Sequence, residues 1–478
     1  MRSRTLLVVA MLTLVVAATL MVACGGDGGR QSGSAEPAFV NVSLSDPPTC
    51  ASPAGPYSHV YVTIADVQIH QSSTANANDA GWVSLTPALK SAPKQVDLLG
   101  LGGSGCLLAQ LGSNTQIQAG TYQQIRVYLA ADSVNVPGNQ CAQGNNCVVY
   151  NGQTYKLNLS SETQTGIKIP AGQIAGGQFV INPGEVRGLN IDFDACASIV
   201  TQGAGGFRLK PVLHAGEVSL SATSITGTIV DSGTQQPLLG VKAIVSLQQK
   251  DASGVDRVVM QTTPDATGNF IFCPVPAGTY DVVSVAVGVA GASANVAYAP
   301  TVTTGVQPGN ALGKVPLIAQ TGANTQQASI TGAVSTTNNN TGAAADVTVS
   351  ALQTISVNGS NVLFVVPLAQ QQSSSVTVTT EAGAACAAGT NCASYTLAVP
   401  AMQPNVGAFA AAGTTYTQST ATPVTYTVDA LAYAPNSGAT PMCNPSEVKV
   451  ATLQGGGVLA VTPGVTVNAT EASFTGCQ

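Results

Sequence analysis

Charged side chains are scarce in this sequence: 16 Lys and Arg and 22 Asp and Glu make up 8% of 478 residues, where soluble domains average about a quarter. Long helices laced with Glu–Lys pairs are excluded, since they alone would use more charge than the chain holds. A net charge of −6, with no basic stripe, excludes nucleic acid as a partner. Histidine occurs only at His59, His70 and His214, too few for a His-rich metal site. A Ser–His–Asp arrangement survives that count, but no G-x-S-x-G elbow accompanies it. Trp82 is the only tryptophan, and half of the 12 tyrosines lie near it in the first third of the chain. Platforms for aromatic stacking are therefore confined to that region. Disorder over most of the chain is excluded as well, because 45% hydrophobic residues with little net charge can bury a core.

What is present begins with an address. Arg2 and Arg4 precede an apolar run from Thr5 to Ala23, which stops at Met21-Val22-Ala23-Cys24 and gives way to Gly25-Gly26-Asp27-Gly28-Gly29. The run reads as an export signal. Its end resembles the bacterial lipobox, in which the cysteine becomes the lipidated first residue after cleavage. Residues 1–23 are thus expected to be a lipoprotein signal peptide, Cys24 the lipid anchor in a membrane, and residues 24–37 a flexible tether. An uncleaved transmembrane anchor is the alternative, and in either case the remainder lies outside the cytoplasm. By resemblance to bacterial sorting signals, Gly25 in place of Asp favours the outer membrane of the cell envelope.

Eleven cysteines less Cys24 leave an even number, which suits disulfides in an oxidising compartment. Cys141–Cys147 and Cys386–Cys392 share the pattern C-A-x-G-x-N-C and are expected to staple two hairpin tips, the Gly and Asn supplying the turns. Cys50–Cys106 and Cys443–Cys477 are candidate longer pairs. Cys196 and Cys273 fall in different segments, where an interdomain bridge and buried thiols both stay open.

Short alternating runs rich in Val, Ile, Thr and Tyr recur between Gly, Pro and Asn clusters, and no stripe of period 3.6 follows the signal peptide. The expected fold class is all-β, with tandem β-sandwich domains behind the signal peptide. In residues 59–70 the apolar set Val60, Val62, Ile64 changes phase to Val67, Ile69, which predicts a bulge near Ala65. Along 189–194, Leu189, Ile191 and Phe193 are expected to face inward, and Asn190, Asp192 and Asp194 outward. The expected divisions are a β-rich domain at 38–218, a sandwich at 222–320 and a sandwich-like unit at 326–478. The last two restart alike, Ser224-Ile225-Thr226-Gly227 recurring as Ser329-Ile330-Thr331-Gly332.

Two stretches resemble known families. Ile225–Asp231, Gly240–Ala243, the turn Asp265-Ala266-Thr267-Gly268-Asn269-Phe270 and the corner Val275-Pro276-Ala277-Gly278 resemble the carboxypeptidase-regulatory-like, transthyretin-type sandwich. The resemblance implies a non-catalytic spacer or binding platform. Related adhesin repeats carry a Lys–Asn isopeptide bond, but the strand after Tyr280 offers no Glu or Asn, so none is expected here. Val42–Pro47, His59–Ile64, Trp82–Leu85, Val96–Leu99, Ala119–Arg126, Ile191–Asp194 and Leu209–Val212 resemble a bacterial lipoprotein family, domain of unknown function 4382, over residues 38–218. That resemblance implies an envelope lipoprotein and brings no activity.

Candidate chemistry is thin. Asp192 and Asp194, two apart on a strand, should project carboxylates about 7 Å apart, near the spacing of paired glycosidase acids. With Asn190 they form a candidate calcium site, while an ion pair with Arg126, Arg208 or Lys210 is the plainer alternative. Asp66 and His70 should stand about 13 Å apart, too far to share an ion unaided. Gly100-Leu101-Gly102-Gly103-Ser104-Gly105 matches G-x-G-x-x-G only formally, since no strand–helix–strand pattern follows. Trp82 and His70 are candidates for ligand contact in the first domain. The function expected is a non-catalytic envelope lipoprotein that binds a glycan or an envelope protein through that domain, without a cofactor unless calcium. A structural scaffold and a hydrolase using Asp192 and Asp194 are the alternatives.

Overall fold

In a computed structural model the chain is described over residues 37–46, 57–101, 108–159, 162–202, 206–218, 224–265, 267–288, 295–357, 359–434 and 442–478. Residues 1–23, the expected signal peptide, and Cys24, Cys50 and Cys106 lie outside these residues, as do Gly102–Gly105 and the side chain of Cys196. Among the described residues strand dominates, and the one α-helix is the four-residue turn Ala195–Ser198. No described helix is long and apolar enough to cross a membrane.

Alternation builds the first unit. Val40, Val42 and Leu44 are buried along the strand Ala38–Ser45. That strand pairs in parallel with Val186–Phe193 and antiparallel with Ala109–Ile117, and Leu213–Val218 completes a four-stranded sheet. The facing sheet is organised by the long strand Tyr57–His70, which pairs with Gln124–Leu129 and Cys147–Tyr150. Its register with Gln124–Leu129 shifts between Ile64 and Asp66. The bulge falls at Ala65, and it lets Val60, Val62 and Ile64 on one side of it and Val67 and Ile69 on the other all enter the same core.

The second unit is also a sandwich. Ile225–Asp231, flanked by Asn269–Phe272 and Ala311–Leu317, faces the strands Val255–Thr262, Val241–Lys250, Tyr280–Gly288 and Thr301–Val306. Residues 282–287 read Val-Val-Ser-Val-Ala-Val, a run with almost no polar alternation. Such a run is what a strand buried on both faces requires. Val282 and Ala286 face the unit's own core, while Val283, Val285 and Val287 join the core of the third unit, as Ile244 does from the neighbouring strand.

The third unit therefore packs onto the second and shares its sheet. Ser360–Val365 pairs in parallel with Val255–Thr262 at one edge, and Asn405–Ala408 pairs in parallel with Thr301–Val306 at the other. The result is a single 11-stranded sheet. Beside the first seam, the Gln248 side chain donates to the Val365 carbonyl at 2.6 Å and accepts from the Val365 N–H at 3.0 Å. Its amide stands where a strand's peptide group would. Arg257 ties the same units electrostatically, reaching Asp251 at 2.9 Å, Glu447 at 2.5 Å and the buried Asp429.

The repeated Ser-Ile-Thr-Gly acquires a physical meaning. Gly227 lies opposite Phe270 and Gly332 opposite Tyr395 in their antiparallel pairs. A Cβ at Gly227 would lie 2.5 Å from the Phe270 ring, and one at Gly332 would lie 2.3 Å from the Tyr395 hydroxyl. In both units an aromatic ring covers the glycine across the strand pair.

Three disulfides close loops: Cys141–Cys147, Cys386–Cys392 and Cys443–Cys477. Cys273 is disulfide-bonded too, so a free thiol is excluded for it. The first loop differs from the expected hairpin tip, because the chain before Cys141 is not a strand. Asn146 explains why: its side chain accepts from the Thr63 N–H at 2.8 Å and donates to the Ala130 carbonyl at 3.1 Å, fastening the loop to the sheet instead of pairing two strands. The second loop is closer to a hairpin, with Glu381 and Cys392 bridged antiparallel.

Two consequences are measurable. Ile244→Ala, which empties a fully buried site in the third unit's core, should cost about 2–5 kcal/mol. In calorimetry it should shift one transition covering residues 224–478, and two separable transitions with only one displaced would contradict the shared core. Gly332→Ala should cost about 1–3 kcal/mol by overpacking against Tyr395, and Gly332→Ala combined with Tyr395→Leu should recover part of that loss in urea unfolding.

Candidate functional site

The acidic strand face is not the solvated one expected. Asn190, Asp192 and Asp194 are only 2%, 4% and 4% exposed. Parallel pairing sets Ser43 beside Asn190 and Ser45 beside Asp192, and the four side chains form a ladder. Ser43 donates to Asn190 at 2.9 Å, Asn190 to Ser45 at 2.8 Å, and Ser45 to Asp192 at 2.9 Å. The strand ends at Phe193, so Asp194 leaves that alternation. Its carboxylate instead accepts a hydrogen bond from Gln261 of the second unit, whose own oxygen accepts from Ser374 of the third at 2.7 Å. One glutamine thus touches all three units.

Asp46 joins them from the end of Ala38–Ser45. One of its oxygens accepts the Ala195 N–H at 2.8 Å, and the other, Oδ2, is buried without a hydrogen-bond partner among the described residues. Burial pushes the Asp46 carboxyl well above the usual carboxylate range, and nearby Asp194, Asp192 and Asp97 raise it further against the Ala195 hydrogen bond. Burial likewise takes Asp192 up to about 8, opposed by the Ser45 hydroxyl and reinforced by Asp194. His214, the partner of Asp192 on the next strand, is pushed down to about 4 by burial.

Asp46 and Asp192 line a cleft between the first and second units. It has a volume of about 630 Å³, and its opposite wall includes Thr226, Thr228, Met260 and Phe270. Asp194 does not line it. Cleft volumes of about 300–1,000 Å³ at domain junctions suit small organic ligands. Among the described residues no group of three or more His, Cys, Asp or Glu is arranged to hold a metal ion.

A second cluster forms on the first unit. His70, Trp82 and Arg126, from three different strands or their ends, come together: the His70 and Trp82 rings lie 5.1 Å apart, and the Arg126 guanidinium sits 4.9 Å over the Trp82 ring. Trp82 Nε1 donates to the Asn76 carbonyl at 2.8 Å. The Ser72 N–H donates to His70 Nδ1 at 2.9 Å, leaving Nε2 to carry the proton toward the Ala80 carbonyl at 3.0 Å. Burial holds Arg126 below the usual arginine range. The other candidates lie elsewhere. Lys210 is buried beside Asp346 of the third unit, and burial lowers it to about 8. Asp66 accepts from Ser84 at 2.6 Å and pairs with Lys90 at 3.3 Å.

Asp46, Gln261 and Phe270 escape a sequence reading of sites. Asp46 stands 146 positions before Asp192, and no local pattern joins them. A signal does exist in Ser43-Leu44-Ser45-Asp46, whose polar positions alternate in step with Asn190 and Asp192, as two paired strands with a common polar face would require.

Residues 38–211 match the family described as Domain of unknown function (DUF4382). No curated protein matches the chain. Among solved structures, the chain is similar to the Bacillus anthracis TIE protein at 11% identity and a TM-score of 0.15, over 92% of this chain and 51% of that one. The chain thus spans about half the length of that protein. It is similar to the shaft pilin SpaA of Lactobacillus rhamnosus GG at 11% identity and a TM-score of 0.18, over 60% of this chain and 98% of the pilin. The major pilin SpaD of Corynebacterium diphtheriae overlaps 48% of this chain, and 63% of its own length, at 11% identity and a TM-score of 0.15. Superpositions at these scores carry no weight for function.

The buried acids make a pH prediction. A carboxyl whose folded pKa is raised contributes stability that is fully present below its unfolded value, about 4, and is lost as pH rises through the folded value. For Asp192 the loss is complete only above about 8. Stability should therefore fall between pH 5 and 8.5, and Asp192→Asn, which keeps an oxygen for Ser45, should flatten that fall by at least about 1 kcal/mol. Urea midpoints across that range would show it, and an unchanged slope would mean Asp192 is already ionised at pH 5.

Proposed function

We propose that the protein is a non-catalytic component of the bacterial cell envelope, anchored by lipid on Cys24, that recognises a glycan or an envelope protein through the Trp82 surface of its first sandwich. The observation that carries this reading is the meeting of Trp82, His70 and Arg126 on one partly buried patch. The part-exposed Trp82 and His70 rings support stacking on a sugar ring, with the buried Arg126 guanidinium holding the indole in place. Intramolecular disulfides and the low charge of the chain fit an exported location. The hydrolase reading is weakened by Asp194, whose carboxylate is held by Gln261 and does not line the cleft. A scaffold reading draws support from the sheet shared by the second and third units.

The test is binding of the full-length oxidised chain, in neutral detergent, to a glycan array and to envelope extracts of its host, beside Trp82→Ala. Saturable binding reduced at least tenfold in the variant is the expected result. Binding that the variant leaves intact would move the site off this patch, and an absence of saturable binding would favour the scaffold.

A further inference from the structure

We propose that the cleft between the first and second sandwiches binds an organic cation, an ammonium group carried on an apolar body. This goes beyond the Trp82 reading and does not rest on it. Three observations converge. The cavity, about 630 Å³, is lined on the side of the second unit by the part-exposed Pro264 and Ile271 together with the buried Met260, Phe270 and Phe272, a surface for an apolar body. On the facing side stands Asp46, only 4% exposed, with Oδ2 accepting no hydrogen bond among the described residues. Finally, the ionisable side chains lining the cleft are Asp46, Asp192 and Asp265, and no described lining residue is Lys, Arg or His.

A buried carboxyl flanked by other carboxyls is held protonated unless a positive charge arrives. An ammonium beside Asp46 offsets that repulsion, supplies a partner to the orphaned oxygen and is worth more beside a buried carboxylate than in water. A neutral hydroxylated ligand gains one hydrogen bond and leaves the repulsion in place. A hard metal ion needs about six oxygen ligands, and no described group of acids converges to provide them. An ammonium on an apolar body needs only one or two acceptors and a wall.

The groups facing Asp46 are Asp192 and Asp194 on and just beyond the paired strand, and Asp97. Asp192 faces Asp194, with His214 opposite on the adjoining strand. The other neighbour of Ala38–Ser45, the strand Ala109–Ile117, contains no titratable side chain. Binding must therefore ionise a carboxyl and release a proton, so affinity rises with pH.

The experiment is calorimetric titration of the full-length oxidised chain with benzylammonium and, in parallel, with the neutral benzyl alcohol, at pH 8.5 and pH 5.5. The expected result is saturable binding of the cation at pH 8.5, at least tenfold weaker at pH 5.5, and at least tenfold tighter than benzyl alcohol at pH 8.5. Asp46→Asn should lower cation affinity at least tenfold, while Trp82→Ala should leave it unchanged. Equal affinity for the cation and the alcohol, or no saturable cation binding at pH 8.5, would overturn the proposal. The comparison of probes and pH values on the unaltered chain needs no variant to fold.

Discussion

Everything after residue 224 depends on two strands, Val241–Lys250 and Tyr280–Gly288, having two inward faces. Val245 and Leu247 with Val282 fill the second unit, while Ile244 with Val283 and Val285 fill the third. Removing either partner would leave a contiguous apolar sheet face in water, which soluble proteins avoid. The second and third sandwiches are therefore bound to each other in a way that the first is not bound to either. The first meets the second through polar and close backbone contacts: Gln261 to Asp194, the Ala277 N–H to the Glu217 carbonyl at 3.2 Å, and Pro276 against Gly216, where a Cβ would lie 2.4 Å from the proline ring. One joint is a core, and the other is a fitted surface with a cleft in it.

The scarcity of charge takes on a different character once the acids are located. Eight of them are buried among the described residues: Asp46, Asp66, Glu162, Asp192, Asp194, Asp256, Asp346 and Asp429. Set against 22 acids in all, this leaves the surface still poorer in charge than the composition suggests. Buried acids are rare because each must be paired, hydrogen-bonded or protonated. Here all three solutions occur. Asp429 is paired with Arg257, Asp66 accepts hydroxyl and amide hydrogen bonds, and Asp256 is raised to about 8 by burial and by Asp281 beside it.

Strand content and the first core were legible because they follow from period-two alternation, and the bulge at Ala65 was legible because it breaks that alternation by a single residue. The two-faced strands are written in Val282–Val287, but a continuous apolar run does not say which partner covers its second face. Asp192 and Asp194 were misplaced for a related reason. Polar residues at every second position imply a solvated face only when nothing packs on it, and the ladder of Ser43, Ser45 and Asn190 is invisible until parallel pairing sets its two halves side by side. Trp82, His70 and Arg126 were each singled out, yet their meeting depends on the pairing of Gln68 with Ser84 and Arg126, which sets three strands in order.

Both flanks of the second unit's sheet are already taken, by Ser360–Val365 and Asn405–Ala408 from later in the same chain. Beyond them the shared sheet tapers to Thr417–Gln418 at one end and Glu447–Val450 at the other, strands of 2 and 4 residues. Short terminal strands offer few unpaired backbone groups to a passing chain. That sheet gives any neighbour little to extend by adding a strand. Contacts made through that sheet must come from side chains and loops rather than from added strands.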